Sequence, residues 1–94
     1  MKKYLLCNIH PFVLNQKIEV HDENNQCIFE ASSMLPDLQK TIYVLCKEYD
    51  IHNVIFHGKS FYDNRIKDHF TSIKYAKHPI KVYLEGEDTS EVFN

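Results

Sequence analysis

Two histidines follow apolar segments of the kind that form buried strands. His10 comes after a run that begins at Tyr4, and His57 ends the run Asn53–His57. If these runs form adjacent parallel strands, both imidazoles lie at the carboxyl edge of a sheet, where open α/β proteins bind ligands. Two imidazoles there could act as acid and base on a phosphodiester, or share a metal with Asn8. The alternative is that both are ordinary surface histidines hydrogen-bonded to nearby backbone.

The segment Gly58-Lys59-Ser60 matches the end of a phosphate-binding Walker A loop, but the upstream glycine of such a loop is absent. A strand-to-helix turn is the simpler interpretation, in which Gly58 supplies an unusual backbone angle and Ser60 caps the helix. The amides at that helix start, with Lys59 beside them, could still hold an anion. The candidate anion or ligand site therefore comprises Asn8, His10, His57, Gly58, Lys59 and Ser60.

No spacing typical of a metal site or of a catalytic nucleophile occurs in the chain. There is no Cys-x-x-Cys pair, no His-x-x-x-His pair and no Gly-x-Ser-x-Gly elbow. Four further histidines lie at turns or on a helix, so a metal site built from them would have to be assembled in three dimensions: His21, His52, His69 and His78. Three cysteines fall within apolar stretches and are predicted to be reduced core thiols: Cys7, Cys27 and Cys46. The sequence thus predicts neither a metal nor another cofactor.

The composition is that of one ordinary globular domain. The 94 residues are 44% hydrophobic and 26% charged, and the formal net charge is −2, which provides no bulk attraction to nucleic acid or to an anionic membrane. The apolar runs are too short for a signal peptide or a membrane span. We therefore expect a cytoplasmic protein without a membrane partner, located in the host cytoplasm if a phage encodes it.

Hydrophobic periodicity predicts the element order β-β-β-α-β-α-β. Strands are expected at residues 3–10, 16–21, 26–31, 53–57 and 80–84, and amphipathic helices are expected from residues 36 and 60 onward. Apolar residues at three- and four-residue steps mark the buried face of the first helix: Leu35, Leu38, Ile42, Leu45, Cys46 and Tyr49. The second helix carries a similar stripe: Tyr62, Ile66, Phe70 and Ile73. Residues 1–85 form the domain, and residues 86–94 are expected to form a flexible acidic tail with little to bury.

Strands one and four are apolar on both faces, so we expect them to lie side by side in the middle of a five-stranded mixed sheet of order 3-2-1-4-5. This order resembles the core of the ribonuclease H-like and actin-like ATPase folds, without the helix that normally follows the fifth strand. The nuclease family needs carboxylates at the ends of strands one and four, where this chain has Asn8, His10 and His57. The actin-like family needs an acid and a glycine-rich loop after strand one. The resemblance therefore implies a fold and carries neither activity.

A second resemblance lies in three short segments: Ile9-His10-Pro11-Phe12, Asn15-Gln16-Lys17 and residues 53–58. Together they resemble small uncharacterised proteins of phages that infect low-GC bacteria. This resemblance implies an accessory protein of a phage or another mobile element. The absent final helix would leave apolar surface for a protein partner or for a second copy of the chain.

Cations and aromatic residues concentrate in the second helix and its flanks, where Asp63 and Asp68 are the only acids between Lys59 and Lys81. The candidate interaction residues are Lys59, Phe61, Tyr62, Arg65, Lys67, Lys74, Tyr75 and Lys77. We predict a non-catalytic interaction protein that binds, and could inhibit, a host complex such as a defence enzyme. Three alternatives remain open: a metal-independent phosphodiesterase using His10 and His57, a nucleic-acid binder through the second helix, and a structural component of a phage assembly.

Overall fold

The computed structural model describes all 94 residues, which are organised around one five-stranded mixed sheet. The strands are β1 Tyr4–Asn8, β2 Asn15–His21, β3 Cys27–Met34, β4 Asn53–His57 and β5 Lys81–Tyr83, and the helices are α1 Leu38–Tyr49, α2 Asp63–Phe70 and α3 Ser90–Phe93. Short 3-10 turns lie at Leu35–Asp37 and Ile73–Tyr75. The strand order is β3-β2-β1-β4-β5, which confirms the predicted topology.

β1 is the central strand, antiparallel to β2 and parallel to β4. Its side chains alternate between the two faces, and both faces are covered. Leu5 and Cys7 belong to the main core beneath the helices, whereas Tyr4 and Leu6 belong to a smaller apolar cluster on the opposite face. This double burial is the physical reason why the strand lacks a polar face in the sequence.

Both long helices pack against the same face of the sheet through the predicted apolar stripes. The buried positions of α1 are Leu38, Ile42, Leu45 and Cys46, and those of α2 include Ile66 and Phe70. Two predicted members of the second stripe are not buried, because Ile73 is 92% exposed and Tyr62, which precedes α2, is 38% exposed. The α-helix ends at Phe70, so continued helical periodicity no longer places residue 73 on the buried face.

Cys27 differs from the prediction that all three thiols lie in the core. Cys7 and Cys46 are buried, and burial raises the pKa of the Cys46 thiol to about 12. Cys27 is exposed, because it begins the edge strand β3, whose first four residues are all exposed to solvent. None of the helices has the length and hydropathy required to cross a lipid bilayer.

The segment after β5 differs from the flexible tail that was expected. It forms the one-turn helix α3, and Val92 is fully buried between Tyr4 and Tyr83. The amide of Lys2 donates to the carbonyl of Val92 at 2.9 Å. The acidic character of the segment obscured this anchor, because a single apolar residue has no periodicity that a sequence pattern could detect.

We expect Val92→Ala to lower the free energy of unfolding by about 1–2 kcal/mol, because it leaves a cavity between two tyrosine rings. Urea unfolding monitored by circular dichroism measures this change. The same substitution at the exposed Val44 on α1 is the matched control and should change stability by less than about 0.5 kcal/mol. Equal effects at the two positions would show that α3 does not pack in solution.

Candidate functional site

The carboxyl ends of β1 and β4 meet at one edge of the sheet, as predicted. Asn8 is paired with His57, and the amide of Ile9 donates to the carbonyl of His57 at 2.7 Å. Gly58 follows with φ +97°, and a Cβ atom there would lie 2.1 Å from the carbonyl oxygen of Ile9. Only glycine fits this close approach of two backbones, which confirms that Gly58 supplies an unusual backbone angle.

The two histidines at this edge are both exposed and have different neighbours. His57 Nδ1 lies 3.7 Å from Glu85 Oε2, and the ring of His10 faces that of Phe12 edge-on at 6.5 Å between centroids. The Asn8 amide donates to Glu19 at 2.9 Å. No hydrogen bond joins the two imidazoles to each other or to Asn8, so no observation favours the phosphodiesterase, which stays a prediction.

The amides of the predicted anion site are already bound to carboxylates of the chain itself. Gly58 N–H donates to Glu85 Oε2 at 2.6 Å, and Ser60 N–H donates to Asp63 Oδ2 at 2.8 Å. The Ser60 hydroxyl donates to the other Asp63 oxygen at 2.6 Å. Ser60 and Asp63 are therefore paired, but the prediction that Ser60 caps the helix is wrong, because α2 begins at Asp63 after Tyr62 and no side chain caps its first turn. An external anion would have to displace both Glu85 and Asp63 to reach these donors.

Gln16 organises the loop between β1 and β2 and was not singled out from the sequence. Its side chain accepts from the amide of His10 at 2.5 Å and donates to the carbonyls of His10 and Val13 at 3.0 and 2.8 Å. The side chain is buried because it shares the inward face of β2 with Ile18 and Val20. The sequence did carry a signal for this role. Gln16 occupies an inward position of an alternating strand, where a buried polar side chain needs hydrogen-bond partners.

This loop and the turn after β4 present large apolar side chains to solvent. Phe12 is 92% exposed, Leu14 is 70% exposed, and Phe61 is fully exposed. Two adjoining cavities of about 580 and 450 Å³ share Pro11, Phe12 and Leu35. We call the lining of these two cavities the apolar mouth, and its exposed apolar side chains are Phe12, Val13, Leu14, Met34 and Phe61. Contiguous exposure of this kind is typical of a contact surface for another molecule.

A groove between the two long helices continues from the apolar mouth. Two cavities of about 380 and 300 Å³ share Gln39 and Lys40, and the larger one also shares Leu35 and Tyr62 with the mouth. We call the lining of these two cavities the helical groove. Its lining residues are Leu35, Pro36, Gln39, Lys40, Tyr43, Tyr62, Arg65, Ile66, Lys74 and Tyr75. Three cations and three tyrosines line it, and no carboxylate does.

The predicted interaction residues are divided by this geometry. Six of them line the mouth or the groove: Lys59, Phe61, Tyr62, Arg65, Lys74 and Tyr75. Lys67 instead binds Glu87 at 2.7 Å, and Lys77 lines none of the four cavities. Sequence reasoning missed Lys40, which α1 contributes, and the apolar triplet Phe12-Val13-Leu14, whose signal was an apolar run outside any periodic element.

No family model matches the chain, and no curated protein matches it. Two solved structures are similar in fold. One is a protein of Bacteroides thetaiotaomicron with an actin-like ATPase fold and unknown function, with a TM-score of 0.66 and 10% identity over 99% of this chain. The other is the Lmo2764 protein of Listeria monocytogenes, a proposed N-acetylmannosamine kinase, with a TM-score of 0.58 and 13% identity over 88% of this chain.

The chain spans about a third of either protein, covering 34% of each. At this level of identity the similarity concerns the path of the backbone and not the residues of an active site. The chain therefore has an α/β fold of the actin-like and ribonuclease H-like type.

Proposed function

We propose that the protein is a non-catalytic binding module that holds an extended acidic segment of a partner protein. The observation that carries this proposal is the continuity of the apolar mouth with the helical groove, whose cations face no carboxylate in its lining. Apolar side chains of the partner would fill the mouth. Its acidic side chains would then lie along the groove, beside Arg65, Lys40 and Lys74.

The distribution of charge supports an acidic partner. The whole chain carries a formal charge of −2, yet the mouth and groove contain only cations among their charged lining residues. Several other cations are paired with acids of the chain, including Lys67 with Glu87 and Lys81 with Glu91. The groove cations Lys40, Arg65 and Lys74 form no such ion pair and are available to a ligand.

The side chains of the mouth favour a peptide over a nucleic acid. Val13, Leu14 and Met34 complement apolar side chains and offer no flat surface to a base, whereas the rings of Phe12 and Phe61 suit either ligand. The negative net charge also provides no general attraction to a phosphate backbone. The second-helix nucleic-acid binder is therefore the competing outcome of the test.

The resemblance to phage proteins favours a host complex as the partner. A protein with a groove that binds an acidic segment could act as an inhibitor of a defence enzyme. It could equally act as a structural component that connects other proteins in an assembly. Both roles need the same surface and no chemical step by the protein. The identity of the captured segment distinguishes them.

Selection of displayed peptides on the full chain tests this proposal. We expect the selected peptides to combine aspartate or glutamate with two or more apolar residues. Their affinity should fall at least about tenfold in Arg65→Glu/Lys74→Glu, because two attractive contacts become repulsive. The matched control is Lys47→Glu/Lys77→Glu, which reverses two exposed cations outside the groove and should change affinity less than about twofold.

Two results would contradict the proposal. One is a selected set without acidic residues, and the other is equal affinity in the groove variant and its control. A single-stranded oligonucleotide that binds more tightly than the peptides, and competes with them, would show that the groove binds nucleic acid and not an acidic peptide. Binding by the peptides should also weaken between low and high salt, since the ion pairs are exposed.

A further inference from the structure

We propose that the β2–β3 hairpin contains a binding site for a divalent transition metal of the zinc class, formed by Glu19, His21 and Cys27. The three side chains offer a carboxylate oxygen, an imidazole nitrogen and a thiol sulfur, and these atoms all lie within 4.8 Å of one another. Oxygen, nitrogen and sulfur donors in one small cluster suit zinc better than calcium or magnesium, which prefer oxygen alone. Three protein ligands leave a fourth position for water. This site is independent of the groove.

Strand register brings the three residues together. His21 and Cys27 are direct cross-strand partners beside a bulge between Val20 and His21. Glu19 precedes His21 by two residues and therefore projects from the same face of β2. The carboxylate and the imidazole already touch, with His21 Nε2 at 3.2 Å from Glu19 Oε1. No linear spacing in the sequence marks such a site, because its ligands come from two strands.

Neighbouring side chains hold two of the ligands in place. The ring of His21 stacks on Tyr4 with 4.6 Å between centroids and an interplanar angle of 10°. The Tyr4 hydroxyl donates to Asn25 Oδ1 in the hairpin turn at 2.5 Å, and this hydrogen bond fixes the position of the tyrosine ring. The Asn8 amide donates to Glu19 Oε2 at 2.9 Å. Ligands positioned by such outer contacts lose little freedom on binding a metal.

The imidazole of His21 has an unsatisfied nitrogen. Its Nδ1 atom is buried and has no hydrogen-bond partner, and the side chain is only 12% exposed. Buried polar atoms without partners are rare because each one costs free energy. Nδ1 lies across the ring from Nε2, which contacts Glu19, so an ion shared by the three ligands binds Nε2 and the unpaired Nδ1 keeps the ring proton.

The local charge suits a divalent cation. The Cys27 thiol lies within 4.8 Å of a carboxylate oxygen of Glu19, and a thiol loses its proton when it binds a metal. A bound dication would displace this proton to solvent and would be neutralised by one thiolate and one carboxylate. One cation lies close enough to repel a bound metal ion. Lys17 Nζ is 3.9 Å from Glu19 Oε2 and 3.4 Å from Glu30 Oε1. Its side chain is 54% exposed to solvent.

Cobalt titration of the metal-free full chain tests the site, because a cobalt–thiolate bond gives a charge-transfer band in the near ultraviolet. We expect one equivalent of cobalt to produce this band and zinc to abolish it. Cys27→Ser should lose the band, although Cys7 and Cys46 remain, and should weaken zinc binding at least about tenfold. His21→Gln should weaken cobalt binding by a similar factor.

Controls separate this site from other donors of the chain. Glu30→Gln and His52→Gln should keep the band, since Glu30 is no ligand and His52 belongs to a separate, thiol-free cluster with Asp50 and His78. Zinc at about 100 times its Kd should raise the Tm of the parent chain by about 10 °C. Cys27→Ser should lack this rise. Absence of the band, or an equal band in Cys27→Ser, would overturn the proposal.

Discussion

We expect the double variant Phe12→Ser/Phe61→Ser to bind the selected acidic peptides at least about 100-fold more weakly than the parent chain. Both rings are almost wholly exposed, so their contact area becomes buried only when a ligand fills the apolar mouth. For the same reason the folded chain loses little by their removal. Isothermal titration calorimetry measures the affinity, and urea unfolding checks that stability is unchanged.

Ile73→Ser provides the matched control for this loss of binding. Ile73 is 92% exposed, as is Phe12, but it lines none of the cavities of the mouth or groove. Its replacement should leave the affinity within about twofold. If the control weakens binding as much as the double variant, general surface hydrophobicity explains the association and the apolar mouth is not the site.

Gly58→Ala should lower the free energy of unfolding by about 3 kcal/mol or more, because it combines backbone strain with a collision. Gly58 has φ +97°, and the added Cβ would lie 2.1 Å from the carbonyl oxygen of Ile9. That oxygen belongs to backbone at the end of the central strand, so it cannot move aside without disturbing the β1–β4 pair. Urea unfolding measures the loss.

Gly86→Ala separates the two contributions. Gly86 has φ +85°, but no atom lies within 4 Å of a Cβ built there, so this variant carries the strain alone. It should cost about 1–2 kcal/mol. Comparable losses in the two variants would show that the close approach of Gly58 to Ile9 is relaxed in solution. In that case the turn that positions Phe61 would be more mobile than the structure shows.

The edge of the sheet that binds ligands in open α/β proteins has a different character in this chain. Its amides bind the chain's own carboxylates, with Glu85 on Gly58 and Asp63 on Ser60. The loop beside them, held by Gln16, presents apolar side chains outward. A phosphate that bound these amides would have to displace both carboxylates.

The amino-acid sequence by itself determined the order of the elements and the arrangement of the sheet. Apolar runs on both faces predicted that β1 and β4 are central, and the stripes at Leu38, Ile42 and Ile66 predicted which helix faces are buried. Gly58 and Ser60 predicted the turn between β4 and α2. Each of these signals is local, because hydrophobic periodicity and turn formation depend on residues that are close together in the sequence.

Only the tertiary structure decided which distant residues meet. Lys40 and Arg65 line one groove because α1 and α2 pack side by side on the sheet. Likewise, His21 meets Cys27 through strand register and a bulge, and Val92 is buried by contacts with residues far away in the sequence. Such contacts leave no periodic pattern in a single sequence. Their formation depends on long-range packing, in which one-residue shifts of register or of a helix end change which side chains share a surface.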